Sequence, residues 1–150
     1  MTNAEFEVLL SDTSKVVEGD IAWSQSEDRA TWLGFRVEVT NDVGWPLFIV
    51  GSFNPLVPAL SFVLILQTTG RVYALDMGKD HHNPQCDQVG EVHKHRWNES
   101  LRDKEAYAPT DITKPASDVV GVWEQFCKEA RLHHDGRMAP PPPMPTELFT

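Results

Sequence analysis

Cysteine is scarce: the 150-residue chain carries two, Cys86 and Cys127. A disulfide-stapled secreted scaffold needs more, so both are expected as reduced thiols. Long apolar runs are missing too. The longest, "PLVPALSFVLILQTT", falls short of a bilayer span and is interrupted by Pro55 and Pro58. Residues 1–20 carry charges throughout and lack an apolar stretch ending in a cleavage site. A cytoplasmic protein without a membrane segment is therefore the expectation. No glycine-rich phosphate loop occurs, and no serine has the context of an activated nucleophile. Basic charge is also in deficit, with 13 Lys and Arg against 22 Asp and Glu, a net charge of −9. Nucleic acid is an unexpected partner, because phosphate binding needs a basic face.

The deficit is uneven. Residues 1–70 carry a net −6, residues 71–114 a net −1 and residues 115–150 a net −2. A basic protein partner would suit the acidic first half. A small anionic ligand is compatible with the nearly neutral middle.

The length fits one domain, and the 41% hydrophobic and 23% charged fractions are ordinary globular values. Phe6, Leu9, Leu10, Thr13 and Val17 recur at spacings of three and four, which predicts a helix over about 3–17. Thr2 and Glu5 have the form of its capping box. "TWLGFRVEV" alternates apolar and polar residues as a half-buried antiparallel strand does. Strands are predicted at 31–40, 46–53, 60–68, 71–76 and 91–97, with a weaker one at 20–26. "KPASDVVGVWEQFCKEARLHHDG" predicts a second helix over about 117–133. Ser117 is its expected N-cap, Trp123 and Phe126 its core anchors, and Gly136 its stop. His133 and His134 fall in its expected last turn, where cations suit the dipole. The reading is α+β: one curved antiparallel sheet of five or six strands, flanked by an N-terminal and a C-terminal helix. Residues 1–137 form the domain, and 138–150 a proline-rich tail.

Four of the six histidines lie in "DHHNPQCDQVGEVHKHRWNE", residues 80–99. His93 and His95 share one face of a strand, with their Cβ atoms about 7 Å apart, close enough to hold one metal ion. Trp97 continues that face. Val92, Lys94 and Arg96 occupy the other, which makes a poor core face. The histidine face is then either the buried side or the wall of a cleft. A third ligand could be His81, His82 or Asp76, with Cys86 a softer candidate. Three protein ligands and a water would make an open, catalytic type of zinc site. The alternative is a metal-free polar cleft that uses the histidines for binding or proton transfer. "HKHRWNE" resembles part of the first cupin metal motif, but the framing glycines are misplaced and no later strand supplies a further histidine.

"RVYALDMGKDHHNP", "VHKHRWNE" and "KEAYAP", together spanning roughly 71–109, resemble a small uncharacterised family of prokaryotic proteins. Its members run loosely as R-x-D-x-N-G, H-x-N-P, H-x-H-x-Y-R-E and W/A-Y-P. Arg71, Asp76, His82, Asn83, Pro84, His93, His95, Glu99 and Pro109 match by position. Met77-Gly78-Lys79 stands where the N-G turn is expected, and Trp97-Asn98 replaces the Tyr-Arg pair. The resemblance selects residues without supplying a reaction, and it favours His82 over His81 as the third histidine. It also implies an accessory role of the kind found in mobile-element or toxin–antitoxin loci.

Two functional expectations follow. One is a non-catalytic interaction module with a histidine-lined polar cleft. The other is a small hydrolase acting on a phosphodiester or another anionic substrate, in which His82, His93 and His95 bind zinc or share general acid/base work. In the second, Asp76 orients an imidazole and Arg71, or less favourably Arg96, neutralises developing charge.

Overall fold

The computed structural model describes residues 1–78 and 91–143. The chain opens with α1 (Asn3–Ser11), and the Thr2 side chain accepts a hydrogen bond from the Glu5 N–H at 3.0 Å. Phe6, Leu9 and Leu10 form its buried stripe. The expected span to residue 17 is too long. Asp12 turns back to accept the Ser14 N–H at 2.9 Å. Lys15 is fully buried and donates to the Leu9, Leu10 and Asp12 carbonyls at 2.7, 2.9 and 2.6 Å. Carbonyls at a helix end lack intrahelical partners, and a cation suits that end of the dipole. Lys15 therefore closes the helix, and the β-branched pair after it enters β1 (Val16–Glu18).

The main sheet contains β2 (Ser24–Gln25), β3 (Leu33–Val39), β4 (Leu47–Asn54), β5 (Ala59–Leu66), β6 (Gly70–Met77), β7 (Val92–Arg96) and β8 (Ala106–Tyr107). The seven strands lie in chain order, each antiparallel to the next. β8 is the strand beyond the expected six. It is only two residues long, too short to carry an alternation signal.

α2 (Val119–Glu129) follows, capped by Asp118, whose carboxylate accepts the Gly121 N–H at 3.1 Å. The expected cap, Ser117, lies one residue too early, and the expected end at 133 lies too late. Arg131 takes a left-handed backbone with φ 54°, so the helix stops before Gly136 is reached. His133 and His134 are consequently not in a helical turn. They belong to β9 (His133–Asp135), which pairs in parallel with β1. The His134 Nδ1 accepts from Trp123 Nε1 at 3.0 Å, and its Nε2 lies 2.8 Å from the Gly19 carbonyl oxygen. Met138 is buried and bridges to Ile21, so the fold continues to the edge of the proline run. No helix among the described residues is long and apolar enough to cross a membrane.

Strand register divides the sheet into two faces. Phe35, Ile49, Phe62, Leu64, Tyr73 and Leu75 lie on one, and α2 packs Trp123 and Phe126 against it. β7 supplies Val92, Lys94 and Arg96 to this same face, opposite Met77, Leu75 and Tyr73. The Val–Lys–Arg face is therefore the core face, against expectation. Lys94 is tolerated there because its fully buried ammonium reaches Asp111 at 2.6 Å and Glu129 at 2.9 Å. The other face carries Arg36, Glu38, Val50, Ser61 and Val63, and at its β6–β7 edge Asp76, His93 and His95.

Candidate metal centre

His93 and His95 project from β7 on one side, as residues two apart in a strand must. Asp76 stands opposite His93 on β6, and Ala74, opposite His95, is small enough to leave the imidazole room. The Asp76 Oδ2 lies 3.5 Å from His93 Nε2 and 3.4 Å from His95 Nε2. The two rings meet edge to face, with centroids 5.3 Å apart. The three candidate ligand atoms lie within 4.8 Å of one another. Ligands about 2.0–2.1 Å from a tetrahedral ion are separated by about 3.3 Å, so both carboxylate–imidazole edges already match that spacing.

Asp103, in the loop after β7, holds the site together. Its carbonyl oxygen lies 2.8 Å from His95 Nδ1, and its carboxylate accepts from Arg71 Nε at 2.8 Å. A carbonyl can only accept, and at 2.8 Å it is nearer to Nδ1 than Arg71 Nη2 at 3.5 Å, which assigns the His95 proton to Nδ1 and directs Nε2 at Asp76. Main-chain oxygens commonly orient metal-binding histidines in this way. Arg71 Nη2 also reaches the Asp103 carbonyl at 3.2 Å. Sequence reading missed Asp103, because no pattern marks one charged loop residue among "RDKE".

Arg71 arrives on this face through an irregularity. Residues 71 and 76 are separated by an odd number, which in a regular strand puts them on opposite sides. The register between β5 and β6 shifts, with Leu64 opposite Tyr73 and Ile65 opposite Arg71, leaving Val72 as the extra residue. This bulge turns Arg71 to the histidine side, where its Nη1 stands 3.8 Å from Asp76 Oδ2. Arg96, by contrast, pairs with Glu7 of α1 at 3.0 Å on the core side. Glu99 faces the start of α1, exchanging bonds with Asn3 at 3.3 and 2.9 Å. The structure thus brings Arg71, Asp76, His93 and His95 together. His81, His82, Asn83, Pro84 and Cys86 lie outside the described residues.

The site is electrostatically tense. His93 and His95 are 3% and 2% exposed, whereas the Arg71 and Asp76 side chains are 29% and 27% exposed and form its accessible rim. Burial raises the Asp76 pKa, but the adjoining His93 and His95 rings and the Ser61 hydroxyl outweigh it and hold the carboxyl well below the usual carboxylate range. A carboxyl whose folded pKa is depressed stabilises the fold above its unfolded value, about 3.9, and loses that contribution as pH falls. The stability gap between the wild type and Asp76→Asn is expected to be large at pH 7 and to shrink steadily below about pH 4. Urea midpoints at pH 7, 5 and 3 measure it, and a gap independent of pH would contradict the ionised role.

The chain belongs to the family of unknown function DUF6978, which it matches over residues 1–132. The matched span includes both helices and the whole main sheet, and so the Asp76–His93–His95 cluster. No curated protein and no solved structure matches the chain.

Proposed function

We propose that this protein is a binding module built around one divalent transition-metal ion, held by Asp76, His93 and His95. One observation carries the reading. The Asp103 carbonyl fixes the His95 proton on Nδ1, so a neutral His95 would present its Nε2 lone pair to the Asp76 carboxylate at 3.4 Å. Two acceptors at that distance repel unless a cation lies between them. That cation is either a metal ion or a second imidazole proton, and the two states exclude each other. A donor set of two imidazoles and a carboxylate suits zinc and its neighbours, and the three ligands among the described residues leave coordination positions open. The alternative is an imidazolium held by Asp76, which would make the cluster a polar ion pair without metal.

Metal analysis of protein purified without a histidine tag, followed by calorimetric zinc titration, separates the two states. Stoichiometric zinc is expected, with protons released on binding, seen as a binding enthalpy that depends on the buffer. His93→Gln and Asp76→Asn, each removing one ligand, should weaken zinc binding by at least about a hundredfold, compared with 10–100-fold for the loss of an outer-shell partner. Zinc affinity unchanged in both variants would end the metal reading and leave the ion pair.

A further inference from the structure

We propose that the open coordination position and Arg71 together bind an oxyanion, so that the module's ligand carries a carboxylate or phosphoryl group. The inference rests on the metal reading above and adds to it the chemical class of the ligand.

The guanidinium offers two donor edges. The edge formed by Nε and Nη2 is taken by Asp103, at 2.8 Å to the carboxylate and 3.2 Å to the carbonyl, with Nη2 also 3.5 Å from His95 Nδ1. The remaining edge carries Nη1, which faces Asp76 Oδ2 at 3.8 Å, beyond hydrogen-bond reach. Arg71 is therefore anchored on one side and turned toward the cluster on the other. An arginine already fixed in place loses little entropy when it binds, and its fork matches the paired oxygens of carboxylate or phosphate. This edge lies at the accessible rim, since Arg71 and Asp76 are the more exposed members of the site.

Charge decides when the anion can bind. Asp76 and Asp103 against Arg71 give a net −1 with neutral histidines, which repels an anion. A divalent ion changes the sum to +1. Oxyanion binding should then be metal-dependent, and by linkage the anion should tighten metal binding by the same factor. Arg71 touches no metal position, so its removal separates the two events. Losing a cation near the site should leave zinc affinity unchanged or raise it.

The test uses full-length protein loaded with zinc, or with cobalt as a spectroscopic reporter, titrated with inorganic phosphate and separately with acetate. Wild-type protein should bind at least one of them when metal-loaded and neither when metal-free. The arm that responds identifies the phosphoryl or the carboxylate class. Arg71→Gln should lose about tenfold or more in anion affinity, and Arg71→Lys should recover part of it. Metal-loaded wild type that binds neither anion, or an Arg71→Gln variant that binds as wild type does, overturns the inference while leaving the metal site standing. Failure to load metal at all overturns the metal reading, and this inference with it. Circular dichroism of both variants checks that the bulge at Val72 has not collapsed the fold.

Discussion

Trp123→Ala is expected to destabilise the protein by roughly 3–5 kcal/mol, the usual cost of removing a buried large aromatic side chain. The indole is 2% exposed and lies at the centre of an aromatic cluster. Its ring centroid is 5.2 Å from that of Phe62, and 5.9 Å from those of Phe35 and Phe126. It also donates from Nε1 to His134, which joins α2 to the β1–β9 pair. Alanine would leave both a cavity and an imidazole nitrogen without its donor. Because small domains are stable by only about 5–15 kcal/mol, a large share of the molecules could unfold. Trp123→Phe keeps most of the volume and should cost less, by an amount that reports the lost hydrogen bond. Urea midpoints measure both, and an unchanged midpoint for the alanine variant would show that α2 contributes little to the core.

Glu129→Ala should cost somewhat less, about 1–3 kcal/mol, by a different route. One carboxylate oxygen accepts from Tyr73 Oη at 2.6 Å, Lys94 Nζ at 2.9 Å and Tyr107 Oη at 3.3 Å. Burial and the Glu129 charge push both tyrosine hydroxyls well above their ordinary pKa, so they stay protonated as donors. Removing the carboxylate leaves Asp111 as the Lys94 ammonium's carboxylate partner, at 2.6 Å, with two phenolic donors unsatisfied. A paired change, Lys94→Met with Glu129→Leu, removes both charges together. It should recover part of the loss, since exchanging a buried ion pair for apolar side chains is often neutral, while Asp111 loses its lysine and the two phenolic donors stay unsatisfied. Double-variant stability no better than that of Glu129→Ala alone would mean that the tyrosine bonds, and not the charge, dominate.

Neither network could be read in full from the sequence. Alternation placed the central strands and paired His93 with His95, because a period of two is set by the backbone of each strand alone. The same pattern misjudged the Lys94 face. A lysine in a strand reads as solvent-facing, and the carboxylates that neutralise it lie 17 and 35 residues away in the chain. The N-terminal helix shows the same boundary. Phe6, Leu9 and Leu10 were legible as an apolar stripe, but the stop at Ser11 depends on Lys15 folding back over the last turn. His133 and His134 look helical by position and become a strand because β1, more than a hundred residues earlier, offers them a partner.

What the sequence determined by itself is therefore local: the α+β order, the alternating strands, the aromatic anchors of α2 and the shared face of the two histidines. Tertiary structure decided which face became the core and which residues completed the site. Asp76 was a candidate on the expectation that its strand pairs with the histidine strand, and the register of that pairing sets it opposite His93. Arg71 reaches the cluster because one extra residue at Val72 reverses the side-chain alternation, and Asp103 because its loop returns over His95. A bulge and a loop contact are selected by the packing of distant segments, and that energy is not present in any short stretch of chain.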